Sequence, residues 1–442
     1  MDYPGTKFNR PVRLIVLFLF VTAFFLIAPT VILYSAGYRY DFKNGLLRET
    51  GSLSIDVLPK GTVAYIDGIK VNGAMPFRLN SITPHKYSLR LSAPNYYDWE
   101  KQIEINKNQT TYIKEITLLK NEKPKFLAKI KADSLDLSGS GKYLIATIDN
   151  GQKTNIVIID PQKASTQTAV ILNGAKKATL TPSSQSDYVT VDGSGDLYLL
   201  NAATQKFVDL TKVVGPVTKY FWNNQGTEPE LYLGTSDGIK SYLPRIDQIR
   251  AVTDISYPDW LLESGQLWTL TTNTSTKLVA IRQDVLGFDS VFATLTPSAV
   301  ETTSSLLEWK IASTKFNTLV LHRANQYKII RQDKTYLITG DHFYISKFNN
   351  WFIFWSPSEV WTYSAGGEPS LLNRPGSELL GVQPLDQFNT LAFRWANKIT
   401  ALYPYYFIER TLVDKPTTAM TVDSASKTLY YADKDGIWGL GY

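Results

Sequence analysis

From Leu14 to Leu33 the chain reads LIVLFLFVTAFFLIAPTVIL, and no charged side chain follows until Arg39. About 20 apolar residues is the length needed to cross the hydrocarbon core of a bilayer. The run is apolar on all sides, with Leu14, Ile15, Phe18, Phe20, Phe24, Phe25, Ile27, Ile32 and Leu33 spread round the helix, so it lacks the single stripe of a core helix. A cleavable signal peptide has a shorter apolar core and a small-x-small cleavage site, whereas this core continues through Val31-Ile32-Leu33-Tyr34. The segment therefore predicts an uncleaved anchor over residues 13–37, preceded by a cytoplasmic leader of residues 1–12. Lys7, Arg10 and Arg13 lie ahead of the run, and the positive-inside tendency puts them in the cytoplasm and everything after Tyr38 outside. Arg39, Lys43 and Arg48 follow closely and reduce the charge asymmetry on which that orientation rests.

The 442 residues leave room for two or three domains beyond the anchor. Aromatics make up 13% of the chain, with 26 Tyr and 10 Trp, and flat rings suit half-buried pleated surfaces, which favours strands. The net charge of +6 is dispersed rather than gathered in Lys/Arg runs, so no nucleic-acid footprint is expected, only mild attraction to anionic envelope polymers. The absence of cysteine excludes disulfides, thiolate metal sites and cysteine nucleophiles.

After a juxtamembrane linker of residues 38–50, apolar residues alternate at period two. Leu53, Ile55 and Val57 fall on one face and Ser52, Ser54 and Asp56 on the other, while Tyr87, Leu89 and Leu91, then Ile103 and Ile105, repeat the pattern. Pro59-Lys60-Gly61, Asp67-Gly68, Asn72-Gly73 and Ala93-Pro94-Asn95 punctuate the strands, and Asp-Gly and Asn-Gly favour the left-handed angles of tight hairpins. A small β-sandwich over residues 51–120 is the expectation. The segment resembles the PEGA domain of prokaryotic surface proteins: Pro59-Lys60-Gly61-Thr62 stands where that family carries its eponymous tetrapeptide. Val63-Ala64-Tyr65-Ile66-Asp67-Gly68 and Met75-Pro76-Phe77 match its strand-turn and x-Pro-x elements, and Asn95-Tyr96-Tyr97 replaces its usual Gly-Tyr. The resemblance implies an extracytoplasmic spacer or surface-binding module without chemistry of its own, with Pro59, Gly61, Asp67, Gly68 and Pro76 as motif positions. Tyr96, Tyr97 and Trp99 are expected to fill the core and its rim.

Asn121-Glu122-Lys123-Pro124-Lys125 is a polar break, and the texture beyond it, over residues 121–442, is one of repeating hairpins. They begin at Tyr143, Tyr188, Leu231, Trp260, Thr318, Phe352, Leu391 and Leu429, on average about every 40 residues, the spacing of propeller blades. No helix-period pattern competes. Ser138-Gly139-Ser140-Gly141-Lys142-Tyr143-Leu144 resembles the turn-and-strand signature of TolB-like and WD-repeat propellers. Trp260 lies close to Leu231 and far from Thr318, so seven blades with an insertion and eight blades both fit. The overall fold class is all-β with one N-terminal transmembrane helix, a PEGA-like β-sandwich and a seven- or eight-bladed β-propeller. Residues 125–130, Lys125-Phe126-Leu127-Ala128-Lys129-Ile130, could supply the outer strand that the last blade lacks after Gly439-Leu440-Gly441-Tyr442.

Motifs for chemistry are sparse, and no catalytic, cofactor-binding or metal residue is assigned. His85, His322 and His342 lack metal-motif spacing. Gly234-Thr235-Ser236-Asp237-Gly238 matches G-x-S-x-G but joins two strands, so it reads as a hairpin turn rather than a nucleophile elbow. Ser140-Gly141-Lys142 lacks the Ser/Thr and helix of a phosphate loop. Asp192-Gly193-Ser194-Gly195-Asp196 and Asp433-Lys434-Asp435-Gly436 pair carboxylates in turns without the glutamate or length of a calcium loop. Asn108-Gln109-Thr110 and Asn273-Thr274-Ser275 fit the glycosylation sequon, which matters only in a host with the machinery.

The leading expectation is a non-enzymatic envelope protein, single-pass in the cell membrane, with the PEGA-like part as stalk and the propeller as binding face. Its expected partners are the cytoplasmic membrane and a cell-wall or surface polymer or envelope protein, with no cofactor and no nucleic acid. Two alternatives stand: a propeller hydrolase or lyase acting on glycans or peptides, and a TolB-like assembly factor docking a protein through an apolar patch. Trp351-Phe352-Ile353-Phe354-Trp355 and Tyr403-Pro404-Tyr405-Tyr406-Phe407 invite the last reading, although strand packing is expected to account for most of these residues. The ligand-binding residues and the oligomeric state are not legible.

Overall fold

The computed structural model describes residues 10–35, 37–41, 45–174, 177–193, 195–223, 228–263, 265–273, 277–283, 288–295, 308–332, 334–346 and 350–442. Lys7, Lys43, Ser194, Thr274 and Ser275 lie outside them. The chain forms two compact units, Met1–Glu122 and Lys123–Tyr442.

The first unit opens with one helix, Arg10–Ser35, which contains Pro29 and buries no side chain. Leu14, Ile15, Phe18, Phe20, Phe24, Phe25, Ile27 and Ile32 are all exposed, and Leu33 is half-buried. An exposed apolar cylinder of this length suits lipid and not water. Where a linker is expected over residues 38–50, the backbone instead forms a two-stranded hairpin, Tyr38–Asp41 with Leu46–Glu49. Gly37, at φ +79°, lets the chain leave the helix, and its carbonyl accepts from Thr50 N at 3.0 Å and Thr50 Oγ1 at 2.9 Å. A Cβ there would overlap the Asn108 side chain, so glycine is required twice over.

Two sheets follow. In one, Gly51–Leu58 is flanked by Phe77–Ile82, antiparallel, and Thr110–Thr117, parallel. In the other the order is Ile69–Val71, Val63–Ile66, Lys86–Ser92, Trp99–Glu104. The period-two reading holds: Leu53, Ile55, Val57, Leu89, Leu91, Ile103 and Ile105 are all at most 5% exposed. Trp99 is buried, and Tyr96 and Tyr97 sit half-buried beside it. Asp67-Gly68 makes a tight hairpin with both residues at positive φ, and Ser88 N donates to Asp67 Oδ1 at 2.8 Å. Asn72-Gly73 does not. The strand after it, Phe77–Ile82, belongs to the other sheet, so the connection crosses over instead of turning back.

The second unit consists of eight four-stranded antiparallel sheets among the described residues, numbered here as blades 1 to 8. Their first strands are Ser134–Leu137, Thr179–Pro182, Lys219–Asn223, Asp259–Glu263, Lys310–Ser313, His342–Ile345, Leu379–Pro384 and Ala419–Asp423. First strands touch between blades 8 and 1, 1 and 2, 3 and 4, 4 and 5, and 7 and 8, which makes them the inner wall of a ring. Apolar residues fill the gaps from blade 1 round to blade 7 and between blades 8 and 1. Ile145 and Ile158 meet Val189 and Val191 between blades 1 and 2, and Leu199 meets Trp222 and Leu231 between blades 2 and 3. Tyr232 and Ile239 meet Trp260, Leu278 meets Trp309, Val320 meets Phe352, and Ile353 meets Leu391 at the next four. Blades 7 and 8 are joined by Gln383 Nε2 donating to Met420 O at 3.3 Å and the Tyr442 hydroxyl donating to Leu385 O at 2.6 Å. Leu135 and Leu144 of blade 1 then pack with Tyr430 and Ile437 of blade 8, closing the circle.

Blade 8 draws its fourth strand from the other end of the unit. Lys125–Ala128 pairs antiparallel with Ile437–Gly441 in the register Lys125 with Gly439 and Phe126 with Trp438. Seven of the sequence hairpins are the second and third strands of a blade. The one at Trp260 is a first-to-second hairpin, with Glu263 paired to Gln266. That phase slip removes the apparent crowding beside Leu231 and resolves the count at eight. A short α-helix, Leu210–Val214, and a 3-10 turn, Lys315–Asn317, interrupt the strands; Asp209 caps the α-helix by accepting from Lys212 N.

Candidate functional site

The four residues Pro59-Lys60-Gly61-Thr62 form the turn between the strands Gly51–Leu58 and Val63–Ile66. Thr62 donates through both its N–H and its hydroxyl to Pro59 O, at 3.0 and 2.7 Å, so the motif is held by its own backbone. Gly61, Asp67, Gly68 and Pro76 are exposed, and Pro59 is half-buried. These motif positions shape turns and gather no convergent polar groups.

The sequence candidates in the propeller are likewise architectural. Ser236 and Asp237 are exposed at the tip of the hairpin closed by Thr235 and Gly238. Ser138 and Ser140, before the second strand of blade 1, both donate to Asp187 of blade 2, Ser138 at 3.3 Å. Gly139 sits so close to Ser183 O that a Cβ would collide with it, which makes this turn an interblade clamp. His342 stacks on Trp355 at 5.0 Å and His322 on Tyr327 at 4.6 Å, while exposed His85 meets Tyr87 edge to face at 5.6 Å. Among the described residues no three His, Asp or Glu side chains come together as a metal site.

Asp433 is 2% exposed. Its Oδ1 accepts from Asp435 N at 2.8 Å, Gly436 N at 2.9 Å and Trp438 Nε1 at 3.1 Å, and its other oxygen pairs with Lys415. Burial pulls its pKa upward, but the Lys415 ammonium and the converging N–H groups outweigh that and hold it below the usual carboxylate range. The Lys415 ammonium also lies 4.3 Å from the centre of the Trp438 ring. What reads as a carboxylate pair is one carboxylate locked into a turn.

The aromatic runs divide. Phe352, Ile353 and Phe354 are wholly buried, so that run is core. In the second, Tyr403 is buried but Tyr405 and Phe407 are 50% and 71% exposed at a turn of blade 7.

Convergent functional groups appear instead where blades 6, 7, 8 and 1 meet. A cavity of about 260 Å³ opens there between first strands, with Tyr344 and Trp355 from blade 6 and Gln383 and Arg394 from blade 7. Leu135 of blade 1 and Met420 of blade 8 complete an apolar wall. Arg394 donates through Nη1 to Thr417 O and through Nη2 to Leu380 O, both at 3.1 Å. These partners are main-chain carbonyls, so the bonds orient the guanidinium without neutralising it, and burial lowers its pKa. Trp355 Nε1 is buried with no hydrogen-bond partner among the described residues. Burial pushes the Tyr344 hydroxyl up to about 12, so it remains a neutral donor at physiological pH. The one carboxylate on the wall, Asp133, accepts from Asp149 N at 2.7 Å. A ring face, a neutral phenol hydroxyl and an oriented cation around one hollow can hold a flat or extended ligand bearing acceptor oxygens.

None of these four polar residues stands out by motif. The available signal was Arg394 itself, a charge inside the apolar strand Leu391–Trp395. Such a residue requires either a buried partner or an opening.

A family model described as the PEGA domain matches residues 50–129. The match includes both sheets of the sandwich and runs on through the strand Lys125–Ala128. No curated protein matches the chain. Among solved structures, "Crystal structure of Myceliophteria_thermophila Cps50 (Swd1) beta-propeller domain" is 12% identical, with 72% of this chain and 98% of that one covered at a TM-score of 0.43. "Kuenenia stuttgartiensis Hydrazine Synthase" is 11% identical, with coverages of 73% and 97% and a TM-score of 0.38. "Crystal Structure of Mitotic Checkpoint Complex" is 10% identical, with coverages of 73% and 94% and a TM-score of 0.40.

Proposed function

We propose that this chain, a PEGA domain and an eight-bladed propeller behind one apolar helix, is a membrane-tethered, non-enzymatic binding protein of the cell envelope. The helix anchors it with the N-terminus in the cytoplasm, the PEGA domain serves as spacer, and the propeller takes its ligand at the cavity beside Arg394. The carrying observation is the composition of that cavity: Trp355, Tyr344, Gln383 and an un-neutralised Arg394 on an apolar wall, with its single carboxylate engaged by a backbone N–H. This is a recognition surface in which aromatic faces supply contact and a few polar groups fix orientation. The chemistry fits a segment of surface polymer or of an envelope protein bearing carbonyl or acidic oxygens.

The test is affinity capture with the full chain from solubilised membranes, run beside a glycan array. Tyr344→Ala and Gln383→Ala together are expected to lower retention of the captured ligand by about tenfold, the loss of two polar contacts, read below the melting transition, which loss of the Gln383–Met420 bond lowers. Equal retention by that variant would remove the ligand from this cavity. A fluorescent fusion found free in the cytoplasm would sink the tethered reading.

A further inference from the structure

A second hollow, of about 380 Å³, lies within the first unit, where the helix gives way to the sandwich. Its wall combines Tyr34 and Ser35, the last residues of the helix, with Arg39 from the following hairpin and Arg78 from the strand Phe77–Ile82. Asn80, Asn108 and Gln109 add amides. Among the described residues the wall carries two guanidinium groups and no carboxylate. The nearby Glu49 side chain is engaged elsewhere, accepting from the Tyr38 hydroxyl at 2.9 Å and pairing with Lys107 at 3.4 Å.

The two arginines are positioned rather than loose. Arg39 Nη1 donates to Tyr34 O at 2.7 Å and to Tyr38 O at 2.9 Å, and its guanidinium lies 3.6 Å from the centre of the Tyr34 ring. Arg78 Nη2 donates to Thr110 Oγ1 at 3.1 Å. The bonds named use one nitrogen of each guanidinium, whose five donors form a planar fork suited to phosphate oxygens. The Gly37 contacts to Thr50 pin the helix end against the strand that carries Ser52, so the hollow keeps its place beside the last helical turn.

We infer that this hollow binds the phosphate headgroup of an anionic phospholipid. The inference rests on the proposed reading of Arg10–Ser35 as a membrane span, because only then does the end of the helix stand at headgroup depth. Arg39 and Arg78 supply the charge, the amides meet headgroup hydroxyls, and Tyr34 occupies the interfacial position that aromatic rings favour. It also gives a use to positive charge following the span, which weakens the orientation signal but suits a site for a lipid anion.

The experiment titrates the full chain in neutral detergent with short-chain phosphatidylglycerol, short-chain phosphatidylcholine and inorganic phosphate, followed by native mass spectrometry. Phosphatidylglycerol is expected to saturate at about a tenfold lower concentration than either other probe. Arg39→Gln with Arg78→Gln should abolish that preference, and Arg39→Lys with Arg78→Lys should retain part of it, which separates lost charge from a lost fold. Equal binding of the two lipids, or an unchanged preference in the glutamine pair, overturns the site. Inorganic phosphate binding as tightly as phosphatidylglycerol makes this a free-phosphate site and overturns the lipid assignment. The titration does not depend on insertion. Release of the chain from membranes by carbonate washing would sink the anchor separately.

Discussion

Phe126 and Trp438 meet edge to face with ring centres 5.0 Å apart, joining the first strand of the propeller unit to the last. Phe126 remains 45% exposed, so the pair can be removed without opening a large cavity. A double-mutant cycle of Phe126→Ala and Trp438→Ala, read by denaturant unfolding, should give a coupling of about 0.5–1.5 kcal/mol. Lys415 also lies over Trp438, but the cycle cancels that loss. Zero coupling would mean the closure is held by backbone pairing and the burial of Leu127 and Ala128.

The Tyr442 hydroxyl donates to Leu385 O at 2.6 Å, tying blade 8 to blade 7 in a buried setting. Tyr442→Phe keeps the ring and deletes the donor, leaving a carbonyl unmet. A loss of roughly 1–2 kcal/mol is expected in the unfolding transition of the propeller.

Lys219 and Asp259 form an ion pair at 2.8 Å between the inner strands of blades 3 and 4, and Asp259 also accepts from Ile311 N at 2.5 Å. Asp259 is 4% exposed, and burial lowers the Lys219 pKa. Removing one partner strands the other charge. Asp259→Ala should therefore destabilise by about 3–5 kcal/mol, whereas Lys219→Met combined with Asp259→Leu should cost less despite changing more. Urea denaturation of the three proteins orders them.

Burial raises the Asp136 carboxyl to about 6, against about 4 in an unfolded chain. The folded state therefore binds this proton more tightly, so this group favours folding as pH falls from above 6 towards 4 and adds nothing further below that. Above pH 6 it is an ionised carboxylate held at a cost. Asp136→Asn should stabilise the protein by about 1–2 kcal/mol at pH 7.5 and flatten its stability between pH 4 and 6, the full shift being discounted because the side chain keeps partial solvent contact. Chemical denaturation at both pH values checks it.

The strand alternation at Leu53, Ile55 and Val57 and the repeat of hairpins were legible because each is a local pattern with a fixed period. Phase was not. Trp260 to Leu270 looks like every other hairpin, since an apolar strand, a tight turn and a Trp-bearing strand say nothing about which strand of a blade comes first. Asn72-Gly73 failed for a related reason: a turn dipeptide reverses the chain only when its two flanking strands share a sheet. The helix at Leu210–Val214 is short enough to be set by its Asp209 cap alone. The cavity beside Arg394 was out of reach because its walls come from residues about 250 positions apart, Asp133 and Gln383 among them. Only the closed ring makes them neighbours.

That the strand Lys125–Ala128 pairs with Ile437–Gly441 also imposes an order in time. About 300 residues separate Phe126 from Trp438, and at ribosomal speeds of roughly 5–20 residues per second the first strand waits on the order of 15–60 s for its mate. Throughout that interval it is an unpaired segment with unspent hydrogen bonds, and a chain still being synthesised can present every blade but the last without yet being a ring.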